Sequence, residues 1–428
     1  MEQSFSELAT AVASRDADGV RATLARHPNL QAALDEPMPG GSFGQTALMV
    51  AVNNEDRATI DALLQAGADI NARSHWWAGS FGVLDGAERS LVPFLLERGA
   101  RIDAHAAARL GMLETLETML AERPALVHAR GGDGQMPLHF ASTVEIAELL
   151  VNRGADIDAR DIDHESSPAQ WMVRDRQDVA RFLVARGCRT DILMASALGD
   201  IGLVRQHLDA DPAGIRTRVS ETFFPKQNPR SGGSVYIWTL GADKTAHAVA
   251  REFGHPDILA ELVERSPATL RLVVAARAGD EAAVQQLIAS DPTLVSQLTD
   301  EDRRALPDAA RDDDLEAVRV MLAAGWPVDA RGQHRATSLH WAGWNGNQAI
   351  ARELLRHGAP VDVKGDEYDG TPLTWTIYGS VHGWRCRTGD YAGTAEALIV
   401  AGSPVPALTP QLEASAPVRA VLERHAAR

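Results

Sequence analysis

The residues best equipped for chemistry are concentrated between positions 331 and 393. The stretch SVHGWRCRTGDYAG, Ser380 to Gly393, carries His382, Trp384, Arg385, Cys386, Arg387, Asp390 and Tyr391. Trp375 and Tyr378 precede it, Trp344 and Asn345 lie one segment earlier, and His334 and the acidic pair Asp366 and Glu367 occupy the intervening turns. Histidine titrates in the range that suits a general base, and it needs a carboxylate to orient it. The set admits His382 as base, oriented by Asp390 or by Asp366 and Glu367. Arg385 or Arg387 would hold an anionic group, and Trp344, Trp375 and Trp384 would form an apolar wall. The same rings suit binding without turnover, because large aromatics placed on a surface tend to have a partner. Binding is the leading reading, and metal-independent acid–base chemistry on a small organic substrate is the alternative.

Other chemistry is excluded by its missing parts. His164 to Ser167 follows Asp161 and Asp163 but lacks the Gly and closing Glu of a calcium loop. The run Pro229 to Ser234 is Gly-rich without the Gly-Lys-Ser/Thr ending of a phosphate loop. There is no G-x-S-x-G, no H-E-x-x-H and no C-x-x-C pair. Asp312 to Asp314 open a helical segment, where acidic residues favour the dipole. No cofactor site is expected. With only Cys188 and Cys386, free thiols and no structural metal are predicted.

The elements that must position these residues repeat. Thr46 and Gly67 are 21 positions apart, as are Thr337 and Gly358. Each interval reads as a short helix, a break, and a second helix with Leu or Ile at helical spacing, closed by a Gly suited to a left-handed C-terminus. The same grammar recurs over Met136 to Asp158, Ser167 to Gly187 and Gly370 to Trp375. A second variant over Ala104 to Arg130, Ile192 to Arg218 and Leu270 to Leu298 ends on Asp-Pro or Arg-Pro, which stops the helix.

These segments resemble ankyrin repeats, whose signature T-P-L-H-x-A is echoed in MPLHFA and TSLHWA. The layout is similar to that of bacterial ankyrin-repeat proteins with inserted loops. The resemblance implies an all-α solenoid of about twelve helix pairs over residues 1–428, with a C-terminal cap at 408–428. It also implies a concave groove lined by turn tips and by the two residues before the short helix's terminal Gly, here Trp344 and Asn345. His139 and His340, in the T-P-L-H slot, are expected to hold the turn, and Trp171, Trp341 and Trp375 to pack between repeats.

Two departures matter. Thr371 and Gly402 are 31 positions apart instead of 21, which places an inserted groove loop at 379–391. Residues 216–244 replace a short turn, and the alternation in Val235 to Gly241 predicts an elongated β-finger bearing Phe223, Phe224, Tyr236 and Trp238. Tyr236 and Trp238 are the second candidate ligand contacts, and His75-Trp76-Trp77 form a shorter aromatic tip.

Composition agrees with a folded binding scaffold. The chain has 428 residues, 45% hydrophobic, and a formal net charge of −16, which opposes phosphate backbones and argues against nucleic acid. No apolar run approaches the length of a membrane span, and the first 19 residues lack the pattern of a secretory leader. A reducing cytoplasm is the expected compartment, and a protein or small organic ligand in the groove the expected partner.

Overall fold

A computed structural model gives the fold; it describes residues 2–365, 369–409 and 411–426. These residues are mostly helical. Among them the β pairing consists of isolated bridges, Arg218 with Thr245 and Arg331 with Thr337, and no helix is long and apolar enough to cross a membrane. The chain forms two compact units, Met1–Leu259 and Ala260–Arg428.

In the first unit the repeat grammar is visible bond by bond. Thr46 caps the helix Ala47–Asn53, its side chain accepting from the Met49 N–H, and Asp56 caps Arg57–Gln65 by accepting from Ala58 and Thr59. Gly67 then turns the chain at φ 104°, a conformation costly for any residue with a Cβ. The second repeat variant behaves as its sequence predicts. Ala104–Leu110 ends on Gly111 in the left-handed region, Leu113–Glu122 follows, and Pro124 begins a single 3-10 turn. Ile192–Leu198, Gly199 and Ile201–Ala210 repeat the pattern before Pro212. Stacking buries Leu48, Ile60, Leu63, Leu84 and Leu95 in one core.

The second unit stacks Ala268–Arg277 with Glu281–Ser290, Ala305–Arg311 with Leu315–Ala323, Ser338–Asn345 with Gln348–Arg356, and Pro372–His382 with Tyr391–Val400. The helix Ala416–Ala426 closes it, burying Val418, Val421 and Leu422 against Tyr391–Val400. Leu306, Met321, Leu339, Leu354, Leu373 and Leu398 run through its core. The segment expected as a groove loop is partly helical. The short helix of this repeat continues to His382 before the chain turns through Trp384 to Gly389.

The expected β-finger is corrected. Residues 216–244 contain no strand; Val219 and Lys244 pair at the neck (3.0 Å), and the alternating stretch forms the helical turn Tyr236–Thr239. Val235, Tyr236 and Leu240 all turn inward, a spacing that a helix satisfies and a strand does not. Instead of projecting, the segment folds back onto the turn at 161–166. Ser231 Oγ donates to the Asp163 carbonyl (2.6 Å), the Val235 N–H to Ser166 Oγ (3.0 Å), and the N–H groups of Gln227 and Asn228 to the Glu165 carboxylate (2.8 and 2.7 Å).

Candidate functional site

Two glycines bring the aromatic residues of the second unit together. A Cβ on Gly343 would lie 2.6 Å from Thr376 Oγ1, and one on Gly379 would lie 2.8 Å from the Trp344 carbonyl oxygen. Without side chains there, the helices Ser338–Asn345 and Pro372–His382 approach closely and their tryptophans meet. Trp341 and Trp375, both buried, pack edge to face with ring centroids 5.3 Å apart. Trp384 stacks over Trp341 at 5.8 Å with an interplanar angle of 18°. Trp344, half-buried, meets Trp375 and Trp384 edge-on and lies nearly parallel to Tyr378 at 6.2 Å. His334 lies 6.2 Å from Trp341, and His382 lies 4.3 Å from Tyr378.

The loop over this cluster is tied down by polar bonds. Tyr391 donates its hydroxyl to the Trp344 carbonyl (2.8 Å), and burial pushes its phenol up to about 12, so it stays a donor throughout the ordinary pH range. Arg385 pairs with Asp313 (2.6 Å), whose other oxygen accepts from Asn347 (2.6 Å). Asp390 accepts from the Gly393 N–H as the cap of Tyr391–Val400. The cluster is not fully satisfied, because the buried indole N–H groups of Trp341 and Trp344 have no hydrogen-bond partner. Each such group costs about 1–3 kcal/mol.

The structure sorts the sequence candidates. Trp384 is 66% exposed and Tyr378 51% exposed, with Val381 beside them, so these rings form the accessible face. Trp344 and Trp375 support that face from below. Asn345 is 1% exposed and does not face a groove; its amide donates to the carbonyls of Ala310 and Arg311 (3.2 and 2.9 Å), joining two repeats. The carboxylate against His382 is that of Glu413, 2.7 Å from Nε2, and not Asp390, which is committed to its cap. Asp366 and Glu367 lie outside the described residues.

In the first unit, Tyr236 is fully buried and its hydroxyl donates to Asp191 (2.8 Å), a structural role, while Trp238 is 72% exposed. His139 and His340 hold their turns. Each accepts from a backbone N–H at Nδ1, from Met136 or Thr337, and donates from Nε2 to the next turn, at Ser166 or Gly370. Both thiols are free, Cys188 buried and Cys386 exposed beside Trp384. Sequence reading passed over Glu413 and Asp133, took Asp313 only as part of an acidic helix start, and set Asp163 and His164 aside with a rejected calcium loop, although with Asp133 they form a set of groups able to share a cation. Their partners come from other repeats.

Family models for ankyrin repeats match residues 43–75 and 133–162, and a three-copy ankyrin-repeat model matches residues 272–365. The chain therefore carries ankyrin repeats in both units. It is similar to the palmitoyltransferase Hip14 of Drosophila melanogaster, 39% identical over 61 residues, which is 14% of this chain and 10% of that protein. The ankyrin repeat and KH domain-containing protein mask-1 of Caenorhabditis elegans is 26% identical over 259 residues, covering 52% of this chain and 10% of that protein. The chain thus spans about a tenth of the length of these curated relatives. Among solved structures, the human ASB11 ankyrin repeat domain aligns over 72% of this chain and all of its own, at 15% identity and a TM-score of 0.29.

Proposed function

We propose that this protein is a binding scaffold that grips a protein partner with the aromatic face of its second unit. The observation that carries the reading is the pair of exposed rings, Trp384 and Tyr378, held over buried Trp341 and half-buried Trp344. Tryptophan and tyrosine dominate binding energy where they sit on a rigid base, because ordering them costs little on association. An ion pair, Arg385 with Asp313, and a hydrogen bond between His382 and Glu413 flank the rings. The arrangement suits an extended segment that presents an apolar side chain with charged neighbours. Acid–base turnover gains no comparable support, since His382 and Glu413 are both open to solvent.

A peptide library displayed on phage, selected on the immobilised full chain, tests the proposal. Enriched peptides are expected to carry an apolar anchor and to lose at least about tenfold in affinity on Trp384→Ala, equal to about 1.4 kcal/mol. Tyr378→Ala is expected to weaken them as well, with the thermal midpoint of both variants close to wild type. Peptides that bind the variants as tightly as wild type would place the interface elsewhere.

A further inference from the structure

We infer that the turn tips of the first unit form a binding site for one divalent transition-metal ion, of the Zn2+ or Mn2+ class, held by Asp133, Asp163 and His164. One carboxylate oxygen from each Asp and one ring nitrogen of the His lie within 4.8 Å of one another. Donor atoms around an ion with bonds of about 2.1 Å are at most about 4.2 Å apart, so small side-chain rotations close the set.

Three observations point to a cation at this place. Asp133 is 8% exposed, and its buried Oδ1 has no hydrogen-bond partner. The buried indole N–H of Trp76 is likewise without a partner. Next, three carboxylates, Asp133, Asp161 and Asp163, are buried in adjacent turns, and no Lys or Arg among the described residues pairs with any of them. Asp161 is spoken for, accepting from the His164 and Ser166 N–H groups and from the Trp171 indole (2.5 Å). That leaves two buried carboxylates facing one imidazole, an arrangement that a bound cation would neutralise.

The third observation is the way His164 is held. Its Nδ1 lies 3.0 Å from the Gly233 carbonyl, which can only accept, so Nδ1 carries the proton. Nε2 lies 3.7 Å from Asp163 Oδ2, too far for a hydrogen bond, and makes no other bond to the described residues. A ligand imidazole is held in this way, one nitrogen donating to a backbone carbonyl and the other free for the ion. The inserted segment supplies that carbonyl, and its Gly232 N–H braces Asp163 Oδ1 (3.1 Å). A Cβ on Gly232 would lie 3.1 Å from the His164 ring, so the segment closes tightly over the site. His164 also lines a cavity of about 260 Å³ with Arg160, Glu165, Gln170, Phe223 and Lys226. Two carboxylates with one imidazole nitrogen favour Zn2+ or Mn2+ over Ca2+, which prefers an all-oxygen shell.

The test uses the full chain, stripped with a chelator and desalted. Mn2+ binding is read by electron paramagnetic resonance and Zn2+ binding by calorimetry, beside Ca2+. Wild type is expected to bind one ion at this site, with a thermal midpoint that rises with ion concentration. Asp133→Asn and Asp163→Asn keep the side-chain shapes and are expected to weaken that binding by about 100-fold or more and to abolish the midpoint rise. His164→Ala, which leaves both carboxylates in place, serves as a third variant should an Asn variant fold poorly. A wild type indifferent to Mn2+ and Zn2+ would overturn the inference. So would variants that bind like wild type, or Ca2+ binding tighter than either transition metal.

Discussion

His139 and His340 show how a single buried ring sets the response of a repeat to acid. Each needs an unprotonated Nδ1 to accept from its own turn and a protonated Nε2 to donate to the next. Burial, the largest cause, lowers both to about 4 from an ordinary value near 6.5. A lowered pKa contributes stability that is present above about pH 6.5 and lost as pH falls toward 4, worth about 3 kcal/mol for each ring. His340 is the cleaner probe. In the first unit Asp133, raised to about 6, titrates over the same window with the opposite sign, its contribution present at low pH and lost as pH rises through 6. His340→Gln is expected to lower stability at neutral pH and to flatten its decline between about pH 6.5 and 4, as measured by urea unfolding. An unchanged slope would remove the ring from the acid response. Tyr391→Phe should cost about 1 kcal/mol through its lost bond to the Trp344 carbonyl, measured the same way.

At the scale of elements, the inserted segment 216–244 acts as a clamp. Glu165, in the left-handed region at φ 49°, offers its carboxylate to the Gln227 and Asn228 N–H groups and so holds the segment's outer arm. Glu165→Ala is therefore expected to speed tryptic cleavage after Lys226 and Arg230 several-fold while leaving the helical circular-dichroism signal intact. Cleavage at the wild-type rate would assign the clamp to Ser231 and Val235 alone. The helices themselves were legible in the sequence, because a capping Thr or Asp, the break, the apolar spacing and the closing Gly are all local signals. The aromatic cluster was legible as a concentration of rings in neighbouring repeats. Asn345 was misplaced because its slot is open or covered according to what the previous repeat presents, here the carbonyls of Ala310 and Arg311. Tyr236 was misplaced because alternation over a few residues fits both a strand and one helical turn. Glu413 reaches His382 across 31 positions, and Asp133 reaches Asp163 and His164 from the preceding turn, contacts that no local signal within one repeat spells out.

For the whole molecule, stability resides in neighbour-to-neighbour stacking within each unit, so damage is expected to stay local. Leu354→Ala, in the core of the second unit, should cost about 2–5 kcal/mol there. Amide exchange at Leu48, Leu63 and Leu95, in the core of the first unit, should be unchanged. Loss of protection at those amides would show one cooperative block. The chain as a whole also has only two cysteines, and their surroundings differ sharply. Cys188 is buried, its thiol pushed up to about 12 chiefly by desolvation, whereas Cys386 is exposed two positions from Trp384. A thiol-directed dye will therefore attach at one place, on the rim of the aromatic face. Indole is an efficient quencher of many dyes, so the native protein carries a ready position for an optical sensor whose brightness changes as that face is covered.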